Sequence, residues 1–464
     1  MNYKKLFSAT RPVKLFFIAS LPGAISMLAS ALYQLLDGIF VGHVLGNSSF
    51  AALNLAFPFV IINFALADLI GVGSAVPISV NLGRKQEEEA NNIFSCSCLM
   101  IVVTGVATGA LLYVLAPVLI GMMGAEGDTA LLAVRYLRVY AVCSPVTTIV
   151  FAMDNYLRIC GKIRFSMFLN ILMSVMSAGL EALFLFVFRT DIRGAALGTC
   201  LSMMICAVIA TAPFAAKKLQ LRFRRPRFHG RLIREIVTCG SPNFLNNIAG
   251  RVTSILMNTL LLRWGGEDAV NIYGVLMYAD GFVQPLLYGM CDSLQPAVGY
   301  NWGEGKYYRV RAIEKCCFIG AAAVSAIAAI VLVCFPDAIA GLFLEDLAER
   351  PDFAAETEQA VRLFALTYLT RWFSFATQSY MLAVEKALPA ALISVSTAFV
   401  FPVAWIGVLW KLRLTGLWLN FALTALFAAI LSGILLFLLR KRLWKPDEVL
   451  SGKLEGNPEQ DPGV

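Results

Sequence analysis

Twelve runs of apolar residues, each about as long as a helix needs to cross a bilayer, dominate this chain. They fall at about 15–41, 51–80, 91–120, 131–156, 166–188, 194–216, 236–263, 269–300, 312–336, 361–384, 387–410 and 416–439. One soluble core cannot absorb that load. The chain is 59% hydrophobic and 15% charged, where a soluble domain holds about 45–50% and about 25%. The expected fold class is therefore all-α integral membrane, with twelve transmembrane helices. The basic start MNYKKLFSATRPVK precedes an apolar run too long for a signal-peptide core, so that run reads as the first span.

The Lys and Arg residues orient the spans. Most of the 38 fall in the segments that share one face with both termini, including Arg84, Lys85, Arg158, Lys162 and Arg164. The positive-inside rule makes that face cytoplasmic. Both termini are therefore expected inside. The densest basic stretch, KKLQLRFRRPRFHGRLIRE at 217–235, reads as a cytoplasmic linker near anionic headgroups, with no nucleic-acid partner. Eleven Cys are scattered through apolar segments and read as small fillers, and the two His have no metal-ligand spacing.

Displacing the chain against itself by 220 residues places Pro22 on Pro242, Gly46 on Gly266, Asn81 on Asn301 and Gly83 on Gly303. Each pair holds the same topological place, and six spans fall in each half. An even number of spans makes the halves parallel repeats about an axis along the membrane normal, with a central cavity between them. The expected division is an N-terminal lobe 1–216, the linker 217–235, a C-terminal lobe 236–445 and a disordered cytoplasmic tail 446–464.

Carboxylates within a bilayer are costly, about 2.5–3.5 kcal/mol each on insertion scales, so they mark function by default. Counting about 1.5 Å per helical residue from the outer end of each span puts Asp37 at about 7 Å, Glu181 at about 10 Å and Thr199 at about 7 Å. The three share a layer, and Ser177 lies one turn before Glu181 on the same face. Two acids with hydroxyls suit a Na⁺ ion, which takes hard oxygen ligands, or a shared proton. Helix capping is the competing reading. In the second half Arg251, Asp280 and Arg371 all fall at about 16–18 Å, near mid-membrane. An Asp between two Arg reads as a structural ion pair or as a substrate contact in the cavity, beside Asn247 and Gln284.

The segments LPGAISMLASALYQLLDGIFVGHVLG, GVGSAVPISVNLGRKQEEEANN, MSAGLEALFLF, RGAALGTCLS and YGMCDSLQPAVGYNWGEGKYYRVR together resemble the multidrug and toxic compound extrusion (MATE) family, bacterial type. The resemblance covers both halves. It implies a twelve-helix antiporter that exports small organic cations in exchange for Na⁺ or H⁺, with no other cofactor. It also implies that Asp37, Glu181 and Thr199 belong to a cation site in the first half, and that Pro22 marks a helix able to bend. Where the family often has Asn, this chain has Ser177. The absence of a GxxxxGK[ST] motif fits coupling to an ion gradient rather than ATP hydrolysis. Two other functions stay open: a flippase for a lipid or lipid-linked saccharide, kept open by Arg251 and Arg371 although the excess of acids within the spans weighs against it, and an integral-membrane transferase. The expected partners are a small-molecule substrate and membrane lipids, and the expected state is a monomer.

Overall fold

A computed structural model describes residues 3–123, 126–341 and 350–443. The expected tail at 446–464 lies outside the described residues. Among those residues all regular structure is helical, and the twelve spans are present. In order they are Pro12–Leu45, Asn47–Gly83, Glu87–Met122, Gly127–Thr147 continued by Ile149–Ile159, Ile163–Ala182 continued by the wider turn Leu183–Val187, and Ile192–Ala215. The run Gly230–Asp292 holds spans 7 and 8, parted by the non-helical Gly266, and Gln295–Gly303 extends span 8. Spans 9 to 12 are Tyr307–Cys334, Pro351–Ala365 continued by Thr367–Ala383, Ala387–Val395 continued through Val408, and Arg413–Leu443.

Nine of the described helices are apolar and long enough to be recognised as spans by hydropathy alone. Spans 7, 8 and 10 are not among them. These three carry Asn246, Asn247 and Arg251, then Asp280 and Gln284, then Arg371 and Gln378. Helices that face the bundle interior or a cavity rather than lipid can carry such groups within a bilayer.

The structure departs from the sequence reading at element ends. Span 7 begins at Gly230, so 230–235 are helical and the connecting segment is shorter than expected. That segment lies along span 3. Arg222 N donates to Asn91 Oδ1 at 2.6 Å, Arg224 N to Ser95 Oγ at 2.9 Å and Arg227 N to Asn92 Oδ1 at 2.8 Å. Side chains of span 3 thus satisfy a backbone that has no helix of its own. A short helix, Tyr3–Ala9, precedes span 1 and was not expected. Span 1 runs helically through Pro22, whose carbonyl accepts from the Ser26 hydroxyl at 2.8 Å.

The internal repeat extends to backbone detail. Gly46 and Gly266, at the hairpins joining spans 1–2 and 7–8, both take positive φ, 81° and 66°. At the basic end, four interhelical turns share one conformation. Lys85, Gly161, Gly305 and Glu385 all have positive φ. Each donates to the carbonyl three residues back, and its successor donates to the carbonyl five residues back. This is the Schellman closure, which satisfies carbonyls left orphaned at a helix end.

The two lobes meet at the basic end. Buried apolar residues there form one body drawn from both lobes, including Leu15, Ile78, Phe94, Leu232, Val298 and Met381. Toward the opposite end the core divides by lobe. One part, with Val41, Ala52 and Leu137, belongs to the first lobe. Another, with Leu261, Ile272 and Phe364, belongs to the second. Glycines make the joint close. A Cβ on Gly83 would lie 2.1 Å from the Tyr300 carbonyl oxygen, and one on Gly303 would lie 2.1 Å from that of Val80. Gly23 and Gly289 face each other in the same way across spans 1 and 8. In the opposite halves of spans 7 and 8, Gly250, Gly274 and Gly281 have nothing within 4 Å of an added Cβ.

Candidate functional site: two buried acids in the first lobe

Three spans converge in the half of the first lobe away from the basic end. Span 1 brings Asp37, with Tyr33 one turn before it. Span 5 brings Ser177 and Glu181. Span 6 brings Thr199 and Ser202. Gly198 permits the approach of spans 5 and 6, since a Cβ there would lie 2.7 Å from the Glu181 backbone nitrogen. Asp37, Glu181 and Thr199, expected to share a layer, and Ser177, expected on the face of Glu181, lie in one connected cluster.

Asp37 is 5% exposed and Glu181 0%. Their carboxyls abut. Asp37 Oδ1 and both Glu181 oxygens are buried with no donor in hydrogen-bonding geometry. No Lys or Arg pairs with either acid among the described residues. Hydroxyls line the rest: Tyr33 bonds Thr199, Ser177 bonds Ser202, and Ser202 Oγ donates to the Thr199 carbonyl at 2.8 Å. Buried carboxylate oxygens without donors are expensive. A bound proton or a small hard cation removes that cost, and the all-oxygen donor set fits either. Sequence reasoning missed Tyr33, Ser202 and Tyr136. Tyr33 was visible as the i−4 neighbour of Asp37. Tyr136 is buried on span 4 beside Asp37, and its spacing looks like that of any core aromatic.

The second lobe holds the other candidates. Asp280 Oδ1 accepts from Arg371 Nη1 at 2.8 Å and from the Tyr368 hydroxyl at 2.7 Å. Arg251 is not brought to this pair. It is exposed, lies near Tyr273 and makes no ion pair among the described residues. Asn247 is exposed and donates to the Asn243 carbonyl of its own helix at 3.1 Å, while Gln284 is half-buried. Thus equal depth along spans 7, 8 and 10 brings together two of the three charges. Rotation about the helix axis, which depth does not encode, turns Arg251 elsewhere.

The MatE family model matches this chain twice, over residues 22–183 and 242–406, once in each lobe. Among curated relatives, the multidrug export protein MepA of Staphylococcus aureus (strain MSSA476) is 25% identical over 442 residues, covering 91% of this chain and 93% of the relative. MepA of Staphylococcus saprophyticus is 25% identical over 333 residues, covering 71% and 73%. Among solved structures, an outward-facing multidrug resistance MATE family transporter of the MOP superfamily superposes with TM-score 0.88 at 22% identity, covering 95% of this chain and 98% of that one. A MOP superfamily transporter from Pyrococcus furiosus, described as having a binding pocket of reverse polarity, superposes with TM-score 0.88 at 21% identity over the same shares. With the family model repeated across both lobes and the twelve-helix fold shared along nearly the whole length, the chain belongs to the MatE family.

Proposed function

We propose that this protein is a secondary antiporter that exports small organic, cationic compounds or drugs across the bacterial inner membrane in exchange for Na⁺ or H⁺. The observation that carries this reading is the pair Asp37 and Glu181, buried together with three unpartnered carboxylate oxygens and, among the described residues, no ion-pair partner. Such a pair binds a cation and releases it when its surroundings change. Thr199 and Ser177 complete its polar lining. In this reading the basic end and both termini face the cytoplasm, and the protein works as a monomer in contact with lipid. The multidrug export of the MepA relatives supports the substrate class. Their being exporters supports a carrier rather than an enzyme.

With the lobes joined at the basic end and their cores separate beyond it, a compound held between them is exposed away from the cytoplasm. Cation entry at Asp37 and Glu181 then favours the opposite arrangement, and the two fluxes are linked. The test is efflux from proteoliposomes under separately imposed Na⁺ and H⁺ gradients. One gradient drives ethidium export, and Asp37→Asn or Glu181→Gln abolishes it at normal expression. Wild-type export in both variants sinks the coupling role.

Arg251 keeps a second reading in view, a flippase for an anionic lipid or lipid-linked saccharide. It is a mid-span guanidinium that is exposed and has no ion-pair partner among the described residues. Gradient-driven movement of a fluorescent lipid, lost in Arg251→Gln while ethidium stays in place, favours that reading.

A further inference from the structure

A second buried polar cluster lies at the joined, basic end, outside the acid pair. Its centre is Arg158, on span 4 and 3% exposed. Its guanidinium meets Asp154 Oδ2 at 2.6 Å and donates from Nε to Ser166 Oγ at 3.1 Å, both within the first lobe. Its third arm, Nη1, crosses to the second lobe and donates to Ser293 Oγ at 3.1 Å. Asp154 is fixed in turn by Ser166 at 2.5 Å and Asn170 at 2.7 Å. Ser293 lies on the face of span 8 that meets Gly23 of span 1. The other charges nearby are Asp68 on span 2 and Asp292 on span 8; Asp292 accepts from Ser379 at 3.0 Å and Gln295 at 2.8 Å.

The repeat supplies an internal control. Arg158 stands three residues before the positive-φ residue of its turn, Gly161, and the matching residue in the second lobe is Leu382, three before Glu385. Ser293 stands twelve residues before Gly305, and its match before Lys85 is Gly73. Gly73 packs against the Ile236 carbonyl of span 7. So the symmetry-related positions hold a buried leucine and a glycine, neither of which carries a charge. Packing therefore does not require a buried arginine at this place. Burying an ion pair costs desolvation that an apolar pair avoids, and the best-attested return is control over which arrangement is adopted.

We propose that Arg158 is a positioning residue of the transport cycle: its arm to Ser293 holds the cytoplasmic side shut, and that bond must break each time the lobes part there. Ser166, Asn170, Ser174, Ser177 and Glu181 follow one another at helical i+3 and i+4 spacing along span 5. One face of that helix therefore joins the acid pair at one end to Asp154 and Arg158 at the other. A shift of span 5 when a cation binds Glu181 reaches the joint directly. This last link rests on the antiport reading, whereas the role of the Arg158 arm requires only that the lobes alternate.

The test measures the joint itself. Nitroxide labels replace the exposed Glu88 of the first lobe and Leu388 of the second, in full-length protein in liposomes, and their distance distribution reports the closed and open populations. Ser293→Ala removes one bond to a charged donor, and Arg158→Lys keeps the charge without the three-armed geometry. Each raises the open-to-closed ratio about tenfold. Turnover in export falls, and apparent KM for the exported compound falls with it, because more of the protein already faces the cytoplasm. Leu382→Met, a volume-conserving change at the symmetric position, leaves the distances unchanged. An arginine that merely stabilises the fold lowers Tm without moving the distance ratio. Unchanged distances in both Ser293→Ala and Arg158→Lys, or an equal shift in Leu382→Met, overturn the proposal. Export by Asp37→Asn and Glu181→Gln decides the coupling reading separately.

Discussion

Arg371 Nη1 lies 2.8 Å from Asp280 Oδ1, joining spans 10 and 8 within the second lobe. The Tyr368 hydroxyl completes the carboxylate's shell, and Tyr368 itself is 0% exposed. Removing one member of a buried pair strands the other, at a cost of about 3–5 kcal/mol for full burial. The side chains here are 21% and 11% exposed, so the lower end of that range applies. Asp280→Asn and Arg371→Gln each lower Tm in detergent by several degrees. The double substitution restores part of the loss, because neither charge is then left alone. Strictly additive losses show that the two do not act as a pair.

The glycine contacts give a prediction opposite in sign to helix propensity. In an exposed helix, Gly→Ala is favourable by about 1 kcal/mol. At Gly83 and Gly303 the new Cβ meets a carbonyl oxygen of the other lobe at 2.1 Å. Gly83→Val and Gly303→Val therefore keep the lobes apart at the basic end and stop the cycle. A cysteine placed at the buried Ser79 becomes reactive to thiol reagents from that side. Gly250→Ala, with open space beyond the backbone, exports normally. Export by Gly83→Val at the wild-type rate contradicts the contact.

How much of this was legible depends on the kind of order involved. Span count and the Pro, Gly and Asn-x-Gly repeats follow from composition and position, and both survive in the fold. The meeting of Asp37, Glu181 and Thr199 was legible from depth, because three residues near the same end of neighbouring helices need little rotation to touch. Arg251 shows the limit: it matches Asp280 and Arg371 in depth, yet it faces elsewhere. Asp154 lies near a span's end, where depth alone does not set it apart from an interfacial acid. Its role appears only once Arg158 and Ser293, far apart in sequence, are seen across the lobes. The helix Tyr3–Ala9 was hidden for another reason. Its seven residues carry no span-length pattern, and its place comes from tertiary partners such as Asn301, which donates to the Phe7 carbonyl at 3.1 Å.

The Arg350–Asp268 pair ties the start of span 8 to the start of span 10, with Nη1 to Oδ1 at 3.0 Å. The guanidinium holds the Asp268 carboxyl below the usual range. A depressed acid contributes stability above its unfolded pKa, about 4, and loses that contribution as pH falls through the lower folded value. The Tm gap between wild type and Asp268→Asn is therefore constant from about pH 5 to 8 and closes in stronger acid. Both side chains are half-exposed, so the gap is small and shrinks with salt. A gap that widens on acidification reverses the sign and removes the pair as its cause.

Tyr33 offers a graded test of the acid pair, which charge-removing substitutions cannot give. Its hydroxyl bonds Thr199 and lies beside Asp37, Glu181 and Ser177. Tyr33→Phe keeps the ring and both carboxylates and deletes one hydrogen bond, worth about 1 kcal/mol net. If the hydroxyls orient the acids toward a bound cation, the apparent affinity for the coupling ion falls about three- to tenfold, while maximal export at a saturating gradient is retained. Thr199→Val removes the same bond from its other side and should give the same loss. The double variant should then lose no more than either single, because one bond has been removed in each case. Additive losses would place the two hydroxyls on separate tasks, and an unchanged ion dependence in both singles would remove them from the site.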